Sequence, residues 1–258
     1  MSSSELLVLD FDGVIVDGMK EYWWSARKAC LMLLEGKSSS QALPPEIPPP
    51  LKSLRPWVHH GWEMVLIAAE LSNSESQLCQ KGSLMFAGNY SRLGKQSLCK
   101  HDWNPRQLQD ALETIRKQAL KEDREGWLGL HQPFPGVIER LRCLISEGID
   151  LVVLTTKGTE FASELLHWLK LKPKFLYGHE AGSKTQILLQ LAEKETLRGF
   201  IEDRRATLEK TIALPSLNSL PCYLAAWGYL KPNDIHDLPE KIQLLNLKDL
   251  ANPLAMWP

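Results

Sequence analysis

Two carboxylates directly follow a short apolar run near the start of the sequence. The run from Leu6 to Leu9 does not alternate with polar residues, which predicts a strand buried on both faces. Asp10 and Asp12 come next, close enough to repel each other and costly to desolvate. Mg²⁺ would remove that cost, because it binds carboxylate oxygens together with substrate phosphate. Asp10 could then act as a nucleophile while Asp12 exchanges a proton with the leaving group. Alone, the pair could also be an Asx-type turn at a strand end.

Further polar side chains follow later apolar runs. Thr155 follows the run from Leu151 to Leu154, Glu202 and Asp203 follow another, and Lys184 begins a predicted helix. Carboxyl ends of parallel strands meet at one edge of a sheet, so we expect these groups to face one cleft. Thr155 could bond a phosphoryl oxygen, Lys184 could offset negative charge, and the acidic pair could hold the cation. Each residue alone has an ordinary structural explanation, but their order favours a phosphate and Mg²⁺ site.

The elements that position these residues alternate through the second half of the chain. Apolar runs and helical periodicity predict a parallel sheet with right-handed crossovers. The fold class is therefore α/β, a Rossmann-like parallel sheet flanked by helices. We expect strands over 151–154, 175–177, 200–201, 223–226 and 242–245, and helices over 137–147, 159–169, 184–194 and 204–213.

Residues 18–133 differ in composition and pattern. Six of the nine tryptophans fall between positions 17 and 133, and no strand–helix alternation is visible there. Three- and four-residue apolar spacing predicts helices over 20–35, 56–71 and 105–125, with Gly36 as a C-cap. We expect loops over the Ser- and Pro-rich residues 37–50 and over most of 72–103. This region is predicted to be a helical insertion.

Composition limits the classes of partner. The 258 residues are 44% hydrophobic and 24% charged, with a net charge of -1, which offers no electrostatic case for nucleic acid or an anionic membrane. Five scattered cysteines without a CxxC pair favour reduced thiols. Neither a signal peptide nor an apolar run of membrane-spanning length is visible. We expect a cytoplasmic protein with a small-molecule partner; its oligomeric state stays open.

The order of the four polar motifs resembles the haloacid dehalogenase-like (HAD) hydrolase superfamily. The matching residues are Asp10-Phe11-Asp12-Gly13-Val14, Thr155, Lys184 and Glu202-Asp203. The resemblance implies a core domain over 1–17 and 134–258. It also implies a helical cap of the C1 type over 18–133, as in enzymes similar to phosphoglycolate phosphatase and β-phosphoglucomutase. Asp17 and Gly18 would be hinge residues.

The same resemblance implies a Mg²⁺-dependent phosphatase that acts on a small phosphorylated metabolite. Asp10 would carry an aspartyl-phosphate and Asp12 would be the general acid and base. The metal would bind the Asp10 side chain, the Asp12 backbone carbonyl and Asp203, with Glu202 as a further direct or outer ligand. Many members have another aspartate about four residues after the acidic pair, and this chain has none.

Thr156, Asp17 and Arg55 complete the candidate set as substrate-binding residues. A phosphomutase on the same core and a non-catalytic binding or assembly protein with this fold remain alternatives. A dehalogenase is disfavoured, because that branch needs neither a metal nor Asp12. A phosphonate hydrolase would need an imine-forming lysine in the insertion, which the sequence does not identify.

Overall fold

A computed structural model describes residues 5–35 and 43–258 of the chain. The chain divides into two compact units, one formed by Met1–Asp17 with Gln132–Pro258 and the other by Gly18–His131. Gly36 and residues 37–42 of the expected loop lie outside the described residues.

The strands belong to the first unit. They are β1 (Glu5–Leu9), β2 (Val16–Asp17), β3 (Gln132–Pro133), β4 (Asp150–Leu154), β5 (Phe175–Tyr177), β6 (Thr196–Glu202), β7 (Cys222–Ala225) and β8 (Ile242–Leu245). Within the described part of the chain, six of them form one parallel sheet in the order β5-β4-β1-β6-β7-β8. The short strands β2 and β3 pair antiparallel where the chain leaves and re-enters this unit. The predicted α/β fold class is confirmed.

The helices are divided between the units. The second unit contains α1 (Met19–Leu33), α2 (Pro49–Leu54), α3 (Trp62–Leu71), α4 (Gln77–Gly88), α5 (Tyr90–His101), α6 (Pro105–Glu122) and α7 (Arg124–Leu128). The first contains α8 (Val137–Ser146), α9 (Thr159–Trp168), α10 (Lys184–Ala192), α11 (Arg205–Ile212) and α12 (Leu247–Leu250). Among residues 5–35 and 43–258, no helix combines the length and hydropathy needed to cross a membrane.

Strand β1 is buried on both faces, as its apolar run predicts. Leu6 and Val8 pack in one cluster with Leu188 of α10 and Leu208 of α11. Leu7 lies on the opposite face, because successive side chains alternate, and it is also fully buried. The strand therefore sits in the middle of the sheet, and its carboxyl end opens at the edge where the candidate residues lie.

Two expectations for the insertion were wrong. Residues 72–103 form α4 and α5 instead of a loop. The apolar period of α4 is weak because Gly82, with φ +79°, interrupts that helix. Ser76 starts α4 by accepting a bond from the Cys79 amide. The helix expected from residue 56 begins at Trp62, because Pro56 lies in a separate 3-10 turn after α2.

A buried ion pair lies inside the second unit. Glu21 of α1 and Arg116 of α6 are 0% and 2% exposed, respectively. The guanidinium Nε and Nη2 donate to the two carboxylate oxygens at 2.8 and 2.9 Å. The Ser25 hydroxyl and the Trp127 indole also donate to this carboxylate. These bonds satisfy the buried charges and fix the packing of α1 against α6.

Candidate active site

Asp10 lies immediately after β1 and is held on several sides. Its backbone amide donates to the Ile201 carbonyl of β6 at 2.9 Å, which continues the sheet by one bond. Its Oδ1 accepts from the Phe11 amide at 2.7 Å and lies 2.8 Å from Lys184 Nζ. Burial, together with the charge of Glu202, raises the pKa of Asp10 to about 7, although Lys184 opposes the increase. Asp10 is thus an oriented carboxylate with a high energetic cost of ionisation.

Lys184 joins two of the candidate carboxylates. It is the first residue of α10, whose start is fixed by a capping box between Ser183 and Gln186. Its Nζ lies 2.8 Å from both Asp10 Oδ1 and Glu202 Oε2. Burial alone would lower the pKa of Lys184, but the two carboxylates raise it above its usual value. The ammonium is therefore held in its charged form between them.

The acidic pair at the end of β6 completes a cluster. Glu202 is the last residue of the strand and accepts from the Arg204 amide at 3.1 Å, while Asp203 accepts from the Tyr229 amide at 2.8 Å. Burial raises the pKa of Glu202. One oxygen from each of Asp10, Glu202 and Asp203 lies within 4.8 Å of the others, and all three residues are buried. Such a cluster can hold a divalent cation.

Asp12 lies beside a lysine that the sequence analysis did not select. Lys157 Nζ is 3.6 Å from Asp12 Oδ1, and the lysine side chain is only 1% exposed. Thr155, at the end of β4, accepts a bond from the Lys157 amide at 3.0 Å and donates its own amide to the Tyr177 carbonyl. Because β4 is the neighbour of β1, this turn approaches the Asp12 loop. The sequence signal that could have identified Lys157 is its position two residues after Thr155, a predicted site residue.

The three candidate substrate-binding residues have different positions. Thr156 is half-buried in the turn between Thr155 and Lys157. Asp17 accepts a bond from the Tyr229 hydroxyl at 2.6 Å. Arg55 belongs to the second unit, where its guanidinium lies 5.2 Å from the centre of the Tyr22 ring. Asp17 is connected to the carboxylate cluster through Tyr229, because the Tyr229 hydroxyl binds Asp17 and the Tyr229 amide binds Asp203.

Two glycines are required where backbone segments approach the cluster. Gly13 has φ +91°, and a Cβ there would lie 2.0 Å from Asp203 Oδ2. A Cβ on Gly228 would lie 2.3 Å from Asp203 Cβ and 2.6 Å from the Gly13 carbonyl oxygen. Any side chain at either position would displace Asp203. The glycine of the Asp-x-Asp-Gly motif therefore shapes the site as well as the turn.

The chain resembles several solved structures over nearly its whole length. It matches a predicted phosphatase from Clostridium acetobutylicum with a TM-score of 0.59 at 15% identity, covering 97% of each chain. A predicted phosphoglycolate phosphatase from Haemophilus somnus 129pt gives 0.58 at 14% identity, covering 97% of this chain and 96% of the other. A haloacid dehalogenase-like family hydrolase from Streptococcus pneumoniae gives 0.55 at 18% identity, covering 95% of each. No protein-family model and no curated protein sequence matches the chain.

These likenesses show that the chain has the fold of the haloacid dehalogenase-like hydrolases. The fold expected from the order of the four motifs is confirmed. At 14–18% identity these likenesses show the fold alone, and the activity depends on the residues of the site.

Proposed function

We propose that the protein is a Mg²⁺-dependent phosphatase that hydrolyses a small phosphomonoester through an aspartyl-phosphate on Asp10. The observation that carries this proposal is the position of Lys184 Nζ, 2.8 Å from both Asp10 and Glu202 in a cluster with Asp203. Phosphoryl transfer needs positioned groups that stabilise charge. An oriented carboxylate, a fixed ammonium and an acidic pair at one edge of the sheet supply them.

The residues fit a divalent cation. Three ionised carboxylates and one ammonium leave two negative charges in the cluster, and burial raises the pKa of both Asp10 and Glu202. Asp10, Asp203 and Glu202 would hold the metal, together with the backbone carbonyl of Asp12. When bound, Mg²⁺ neutralises charge on the carboxylates and on the substrate phosphate.

The side chains of this chain divide the chemistry between them. An Asp10 oxygen attacks phosphorus, and protonated Asp12 gives its proton to the departing alkoxide oxygen. The resulting Asp12 carboxylate then takes a proton from the water that attacks the aspartyl-phosphate and frees Asp10. The Thr155 hydroxyl and the Lys184 ammonium stabilise negative charge on the phosphoryl oxygens in both steps. Lys157, whose Nζ lies 3.6 Å from Asp12 Oδ1, places a positive charge beside the carboxyl group that exchanges the proton.

We assign the helical unit Gly18–His131 as the cap that selects the substrate. The chain leaves the sheet unit once, through β2, and returns once, through β3, as expected of an inserted cap. Thr156, Asp17 and Arg55 remain our candidates for substrate contact. The cap would exclude water during transfer and open for exchange.

The test is release of inorganic phosphate from an aryl phosphate and from a panel of phosphorylated metabolites, with Mg²⁺ or with EDTA. Asp10→Asn should abolish release. The matched control is Asp150→Asn, because Asp150 lies at the opposite end of the neighbouring strand and pairs with Lys174. Release that survives both EDTA and Asp10→Asn would contradict the proposal. An isomerised sugar phosphate without net phosphate release would identify a mutase on the same residues.

A further inference from the structure

The turn that carries Asp12 is compact and buried. Its backbone is closed by bonds from the amides of Ile15 and Val16 to the Phe11 carbonyl at 2.8 and 3.1 Å, and from the Gly13 amide to the Val16 carbonyl at 2.9 Å. All residues from Phe11 to Val16 are buried. The turn therefore behaves as one rigid piece, and any group that fixes its outer side also fixes Asp12.

A loop that follows β7 bonds to this turn at one point and to the strand β2 that follows the turn at a second. We call residues Ala226–Leu230 the clamp loop. The Trp227 indole Nε1 donates to the Val14 carbonyl at 3.0 Å, and the Tyr229 hydroxyl donates to Asp17 Oδ1 at 2.6 Å. The loop itself is anchored to the sheet, since the Ala226 amide donates to the Leu245 carbonyl of β8 at 2.8 Å.

The same loop also holds one of the proposed metal ligands. The Tyr229 amide donates to Asp203 Oδ2 at 2.8 Å. A Cβ built on Gly13 would lie 2.9 Å from the Tyr229 ring as well as 2.0 Å from Asp203 Oδ2. The Asp12 turn therefore packs so closely against both Asp203 and the clamp loop that one added methyl group at Gly13 would collide with both.

We propose that Trp227 and Tyr229 are positioning residues for the reaction, and that they hold the Asp12 turn at a fixed position relative to Asp203. This inference rests on the proposed function, because the relative position matters only if Asp12 and Asp203 act on one bound phosphate and metal. Loss of either side-chain bond should let the turn move by a fraction of an ångström, and misplacement of a reacting group is costly in rate.

The test compares Tyr229→Phe and Trp227→Phe with Tyr223→Phe, a matched control on β7 whose ring packs against Trp257. The value of kcat/KM is measured with an aryl phosphate, whose leaving group needs no proton, and with an alkyl phosphate, whose leaving group does. Each clamp variant should lose about tenfold with the alkyl phosphate and much less with the aryl phosphate. Equal losses with both substrates, or no loss, would overturn the positioning role.

A second measurement does not need turnover. Isothermal titration calorimetry with Mg²⁺ should show weaker binding by about threefold or more in Tyr229→Phe than in wild type or Tyr223→Phe, because the Asp12 carbonyl and Asp203 lose their fixed relative position. Adding Tyr229→Phe to Asp17→Ala should weaken binding no further, while Asp17→Asn, which keeps an acceptor oxygen, should resemble wild type. Additive losses would overturn the role assigned to the hydroxyl.

The two proposals can fail separately. A wild-type protein that binds Mg²⁺ without any turnover, and whose Tyr229→Phe variant binds more weakly, contradicts the phosphatase and supports only the effect of the clamp loop on the metal ligands. Turnover with unchanged Mg²⁺ binding and unchanged substrate preference in both clamp variants contradicts the clamp alone. A wild type that neither binds Mg²⁺ nor turns over overturns both.

Discussion

Replacing Asp10 with Asn should abolish activity and at the same time stabilise the metal-free protein. The carboxylate is buried beside Glu202, and these surroundings raise its pKa from 3.8 to about 7 even with Lys184 in contact. A raised pKa means that the folded state disfavours the ionised form. Asn keeps the shape and an acceptor oxygen for the Phe11 amide but carries no charge, so it avoids the cost of ionisation.

The size and sign of the effect follow from linkage. Each pKa unit corresponds to about 1.36 kcal/mol, so ionised Asp10 destabilises the metal-free fold by about 4 kcal/mol above pH 7. The cost declines as the pH falls below the folded pKa, because the folded state then takes up the proton; near pH 5 it is about 2 kcal/mol. The stabilising effect of Asp10→Asn should therefore be largest near pH 8 and decrease as the pH falls.

Urea unfolding in EDTA, for wild type and Asp10→Asn near pH 5 and near pH 8, measures the difference in free energy of unfolding between the two proteins. Saturating Mg²⁺ should then stabilise the wild type more than the variant, because binding to the folded state adds to its stability and the variant offers the cation a neutral amide oxygen in place of a carboxylate. Lower stability of Asp10→Asn near pH 8, or a difference that does not change with pH, would refute the electrostatic argument.

Three further variants test separate parts of the structure. Lys184→Met should lower kcat/KM by about 10²-fold or more in steady-state assays, because two carboxylates and the phosphate lose their ammonium; a loss below tenfold would contradict its role. Gly13→Ala should lower the free energy of unfolding by about 2 kcal/mol more than Gly148→Ala. Both glycines have φ near +90°, but only a Cβ on Gly13 meets Asp203, so equal losses would contradict the packing. Glu21→Gln should cost about 3–5 kcal/mol in urea unfolding by removing the negative charge that faces a buried arginine, and a neutral result would contradict that pairing.

The sequence predicts the sheet well because its signals are local. The unalternating apolar runs at Leu6–Leu9 and Leu151–Leu154 mark strands covered on both faces, and both form central strands. The Ser183 cap is equally local, and it places Lys184 at the start of α10. Since parallel strands share an edge, the order of these elements is enough to bring Asp10, Lys184 and the acidic pair together.

The remaining features depend on contacts between distant residues. Tyr229 and Asp17 are 212 positions apart, and neither local sequence predicts the hydrogen bond between them. Lys157 follows a predicted site residue, but only the folded chain shows its side chain beside Asp12. Helix α4 was missed for another reason: its kink at Gly82 interrupts the apolar period on which recognition of a helix depends.

The central claim is that Asp10 accepts the phosphoryl group. The most direct test is to quench turnover with acid, reduce the trapped protein with borohydride and map the modified residue by peptide mass spectrometry. An aspartyl-phosphate is reduced to homoserine, so the account predicts homoserine at position 10 that depends on substrate and Mg²⁺, and none in Asp10→Asn. Steady turnover with no homoserine at position 10, or with homoserine at another aspartate, would contradict the central claim.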